Sequence, residues 1–126
     1  MSVKILSLAA AAAFALAVPA LAHHSHANYV PNDFINLKGK VSEVHWVNPH
    51  VWVYMDVVGA QGGAAKTWAL EGGSIGALQR GGWTKDSMKT GDDVTVRCHA
   101  LKDGSDGCLL GYVTSINGTA MDKEFD

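Results

Sequence analysis

The stretch EVHWVNPHVWVYMD, running from Glu43 to Asp56, decides the fold. Val44 and Trp46 stand two apart on one arm; Val51, Val53 and Met55 stand two apart on the other. Alternation at period two marks a strand with one buried face. Asn48-Pro49 separates the arms, and Asn followed by Pro suits a type I turn. The stretch therefore predicts strand, turn, strand. It also holds the densest cluster of versatile side chains in the chain: Glu43, His45, Trp46, His50 and Trp52.

Upstream, Ile35 to Val47 reads as the first strand. Leu37, Gly39 and Val41 share one phase, whereas Val44 and Trp46 share the other. A switch at Ser42-Glu43 is what a β-bulge produces, because one extra residue turns all later side chains to the opposite face. Downstream, Val51 to Val58 is the second strand and GAQGGAA, residues 59 to 65, a loose turn. Lys66 to Glu71 is the third strand, with Trp68 and Leu70 on one side. Gly72-Gly73 breaks the pattern. Ser74 then suits a helix N-cap, Ile75 and Leu78 give one apolar edge, and Gly81-Gly82 is a stop. So short a helix needs packing to hold it; Trp83 and Met88 extend it as a lid.

Val94 to Leu101 and Cys108 to Asn117 complete the pattern as strands, joined by KDGSDG at residues 102 to 107. Three strands, a short helix and two strands is the order of the OB-fold, a partly open five-stranded barrel. The expected fold is thus mainly β, an OB-like barrel over residues 35–120 with a short helix between strands 3 and 4. A plain β-sandwich is the rival. MDKEFD, residues 121–126, reads as a charged tail that frays.

The N-terminal part reads differently. Lys4, an apolar run from Ile5 to Val18 and Ala20-Leu21-Ala22 match a secretory signal peptide over residues 1–22. The apolar run is short for a membrane span, so no stable span is expected after cleavage. Removing twenty-two of the 126 residues leaves 104, enough for one small core. Lys4 leaves with the leader, so nine basic against twelve acidic side chains give a net charge of −3. A mildly acidic chain with scattered Lys and Arg is a poor match for nucleic acid. Residues 23–34, HHSHANYVPNDF, carry no period and read as a flexible, His-containing tail.

Two cysteines in an exported chain favour a Cys98–Cys108 disulfide. A soft-metal site with His99 as third ligand is the alternative.

The motifs resemble those of a known family. HHSHA after the leader, W-x-N-P-H from Trp46 to His50, W-A-L-E-G-G from Trp68 to Gly73 and R-G-G-W-T-K-D-S from Arg80 to Ser87 are similar to a family of small exported bacterial proteins classed as a domain of unknown function. The resemblance implies an exported, Gram-negative periplasmic protein. It implies no activity and no catalytic residues. The cysteine pair stands outside the family's pattern.

Two groups of residues carry candidate chemistry. Cleavage after Ala22 exposes the amine of His23, with His24 and His26 close by, and nitrogen donors suit copper, nickel or zinc. Cleavage after Ala20 instead places His23 third, where amine, backbone and imidazole chelate Cu(II). The second group is Trp46, Asn48, His50 and Trp52 with Glu71. If strands 2 and 3 are antiparallel, Glu71 falls near His50. Such a pair fits acid–base work, a metal ligand with its supporting carboxylate, or a structural hydrogen bond. The four Trp offer an aromatic platform or core packing. There is no nucleophile elbow, phosphate loop, dinucleotide fingerprint or C-x-x-C. The expectation is an exported non-enzymatic binding module holding a divalent metal or small ligand. The alternatives are a small periplasmic enzyme using His50 and Glu71, or an interaction subunit of an envelope complex presenting Trp52 or Trp83.

Overall fold

The structure is a computed structural model that describes residues 25–126. The signal peptide, His23 and His24 lie outside the described residues.

Among the described residues, six strands and one α-helix follow in order: β1 (Ile35–His45), β2 (Trp52–Val57), β3 (Lys66–Glu71), α1 (Ile75–Arg80), β4 (Asp93–Ala100), β5 (Gly107–Ile116) and β6 (Thr119–Glu124). β1 pairs antiparallel with β2 over its second half and with β4 over its first half. β3 pairs antiparallel with β2 and parallel with β5, and β4 pairs antiparallel with β5. The circuit β1-β2-β3-β5-β4 closes, giving the five-stranded OB-like barrel.

The bulge in β1 lies where the phase switch places it. Register shifts between Val41 and Glu43, so that Val41 faces Met55 and Val44 faces Val53. Val41, Val51, Val53, Met55, Leu70, Val94, Val96, Leu110 and Val113 fill the interior. These are the apolar positions of alternating strands, and burial of their area is the main stabilising term.

Helix α1 closes one end. Ser74 Oγ accepts from Ala77 N–H at 3.2 Å, the expected N-cap. A second cap comes from across the fold, where Asn48 Oδ1 accepts from Ile75 N–H at 3.0 Å. Leu78, Trp83 and Met88 are buried and form the plug. The Asn48–Pro49 peptide bond is cis rather than part of the expected type I turn.

Two segments differ from expectation. Residues 121–126 do not form a loose tail. Asn117 and Gly118 both adopt positive φ, 48° and 83°, and turn the chain into β6, which pairs with β5. Phe125 beyond it is 1% exposed and meets Trp83 edge-on at 4.9 Å. The apolar ring outweighs the surrounding charge, because its burial is worth about 2–3 kcal/mol. The arm before β1 is likewise ordered. Ser25–Asn28 forms a 3-10 turn, Tyr29 bridges to Leu101, and Tyr29 is buried.

The disulfide joins Cys98 and Cys108, with Cα atoms 5.6 Å apart. The two are diagonal rather than directly opposed: Cys98 faces Leu110, and Cys108 faces Ala100. With both sulfurs in this bond, the thiolate alternative with His99 falls away. Among the described residues, no helix is long and apolar enough to cross a membrane.

Candidate functional site

Glu71 ends β3 opposite Trp52, and it also pairs with Leu109 on β5. Two barrel seams meet there, and Glu71 is left 3% exposed. A buried carboxylate is costly unless its oxygens find partners. Its Oε2 accepts from the Tyr29 hydroxyl at 2.6 Å. Its Oε1 lies 3.5 Å from His50 Nδ1. Burial first, and then the hydrogen bond and negative charge of Glu71, push the Tyr29 phenol well above its ordinary value. Tyr29 is therefore a fixed neutral donor.

His50 stands at the entry to β2. Its Nδ1 lies 3.0 Å from the Gly72 carbonyl oxygen. A carbonyl only accepts, so Nδ1 is the donor here, and in the neutral ring Nε2 holds the lone pair. The side chain is 35% exposed, whereas that of Glu71 is 4% exposed. The imidazole thus faces solvent on one edge and a buried anion on the other.

Gly72 and Gly73 make this arrangement sterically feasible. Gly72 N–H donates to Val51 O at 2.8 Å, Val51 N–H to Gly73 O at 2.9 Å, and Gly73 N–H to Phe125 O at 2.9 Å. A Cβ on Gly72 would stand 2.7 Å from Phe125 Cδ1, and one on Gly73 would stand 3.0 Å from the Asp126 carbonyl carbon. Glycine lets the C-terminal segment lie against the two residues that follow Glu71.

The remaining candidates divide. Asn48 is committed to capping α1. Trp46 is half-buried against the core, and Trp52 is half-buried at the start of β2 beside Glu71. Trp83 is 3% exposed, with Nε1–H donating to Glu124 O at 2.6 Å. It is core, so the exposed patch expected there is absent. His45 pairs with Glu43 at 2.6 Å on an exposed strand face and meets the Tyr54 ring at a 60° tilt.

His26 is the one described member of the predicted metal set. It sits 3.7 Å from Asp126 and lines a cavity of about 260 Å3 with Tyr29, Phe34, His99 and Tyr112. Among the described residues, no three His, Cys, Asp or Glu are grouped to hold a metal ion. Sequence reading missed Tyr29. Nothing in the period-free arm of residues 23–34 sets it apart.

The fold and site define a class: a small closed β-barrel with a buried carboxylate behind a solvent-facing imidazole. The chain belongs to DUF6152, a family of unknown function, whose model matches residues 11–110. Comparison with curated proteins and with solved structures gave no match.

Proposed function

We propose that this is a small enzyme in which the His50–Glu71 pair performs acid–base chemistry. His50 Nε2 takes a proton from a bound nucleophile or an acidic substrate group and later returns it. Glu71 is a positioning residue that holds the Nδ1–H tautomer with Gly72 O and stabilises the imidazolium as it forms. Tyr29 fixes Glu71 from behind. The single supporting observation is the polarity of the arrangement. A buried carboxylate and the Gly72 carbonyl both lie at Nδ1, while the side chain as a whole is 35% exposed and Nε2 makes no hydrogen bond among the described residues. A purely structural histidine has no need of this asymmetry, since the Gly72 bond alone would anchor the ring.

The proposal includes an exported, Gram-negative periplasmic setting. The leader pattern supports it, as does the disulfide, because such bonds persist in oxidising compartments.

The test uses p-nitrophenyl acetate as a generic probe of an activated imidazole. H50Q is expected to lose about tenfold or more of the rate at neutral pH. E71Q should lower the rate, because the inner carboxylate no longer holds the ring in place. H45Q, on the exposed strand face, should leave the rate unchanged. A folded H50Q that keeps the full rate overturns the proposal.

A further inference from the structure

The opposite end of the β2–β3 hairpin carries a second, unrelated site. The Val57–Lys66 pair lies five residue pairs from Trp52–Glu71, roughly 17 Å along the strands. Here the barrel wall is open. β1 meets β2 only from Lys40 onward, so Leu37 and Lys38 have no β2 partner. β3 meets β5 only from Ala69 onward, so Lys66 and Trp68 have no β5 partner. Between these two free edges, beneath the β2–β3 loop, lies a groove of about 600 Å3. That volume falls within the usual range for small-molecule sites.

The lining has two chemistries. Leu37 and Val57 are largely buried, Trp68 packs half-buried against the core, and Val58 stands 55% exposed at the mouth. Lys38 and Lys66 line the same groove, with Asp106 as a single counter-charge. Neither lysine has a salt-bridge partner among the described residues, whereas the neighbouring Lys40 is paired with Asp93 at 2.9 Å. Two lysines without ion-pair partners among the described residues and an apolar floor in one groove suit a molecule with an apolar body and an anionic head. An ammonium at the mouth keeps its hydration and pairs with the head at little desolvation cost.

We infer that this groove binds a small amphipathic anion, with its apolar body against Trp68 and Val58 and its head between Lys38 and Lys66. The site is independent of the His50 chemistry.

The experiment is titration with 1-anilinonaphthalene-8-sulfonate, followed by displacement with decanoate and, separately, with the uncharged decanol. The expected result is saturable one-to-one binding, displaced by decanoate at least about tenfold more effectively than by decanol. K38E/K66E should weaken both anions about tenfold or more while leaving circular dichroism unchanged, since both side chains are exposed. V58D should also weaken them, and H50Q should not. Equal affinity in K38E/K66E, equal competition by decanol, or loss of binding in H50Q would overturn the inference. The H50Q arm keeps this outcome separate from the fate of the acid–base proposal.

Discussion

The two ends of the β2–β3 hairpin are made of similar strand and finish very differently. At the Trp52–Glu71 end, β3 is paired on both edges, Phe125 packs beside Gly72 just beyond it, and a carboxylate is locked indoors. At the Val57–Lys66 end, the strand edges part, the loop projects, and an apolar groove stays open to water. Closure determines the chemistry available. The closed end can orient one imidazole through a buried charge, because low dielectric strengthens that interaction. The open end offers area and loosely held charge, which suit binding. A buried end is also sensitive to substitution, and an open end is tolerant.

Substitutions test that contrast most sharply at Phe125. F125A empties the space between Trp83 and Gly72 and should cost about 3–5 kcal/mol by urea unfolding. A loss below about 1 kcal/mol would mean that the C-terminal segment does not hold this end together. Removing the disulfide comes next. Cys108 pairs with Leu70 at the β3–β5 seam, and the bond spans a sequence separation of 10. C98S/C108S should cost about 2–3 kcal/mol in the same measurement. Y29F takes away the donor to a buried carboxylate oxygen and should cost about 1–3 kcal/mol.

Tyr29 also makes a pH prediction. The folded state holds its phenol neutral above the value it has in the unfolded chain. The unfolded chain therefore ionises first, near pH 10. The stabilisation is complete below that pH and declines as pH rises above it. Urea midpoints should fall between pH 9 and pH 11 in the native protein. The fall should be smaller in Y29F; an identical fall in both would assign the effect elsewhere. At the open end, by contrast, V58S and K66E should change stability by no more than about 0.5 kcal/mol. A loss comparable to that of F125A would erase the distinction between the ends.

Much of this was legible in advance, for identifiable reasons. The bulge at Ser42-Glu43 follows from a one-residue phase error, which strand geometry cannot hide. The Lys66–Glu71 strand and the Ser74 cap follow from local chemistry, with glycines as punctuation. The β6 hairpin was legible too, although the tail reading overlooked it. Asn117-Gly118 is a strong two-residue turn signal, and Met121, Lys123 and Phe125 alternate after it. The charges of Asp122, Lys123 and Glu124 obscure that period. Tyr29 was not legible, because nothing local distinguishes an anchored aromatic from one in a flexible arm. Asn48 was misassigned for a related reason: the N–H it caps lies 27 residues away.

By itself, the sequence determined the order and approximate extent of the first five strands and the helix, which of their faces turn inward, and which cysteines join. Those properties depend on neighbours along the chain, so periodicity and turn chemistry carry them. Tertiary structure alone decided that Glu71 is buried, that Tyr29 donates to it, that Trp83 is core, and that one end of the hairpin gapes. Each depends on segments far apart in sequence sharing a small volume, where packing sets exposure and exposure sets the chemistry.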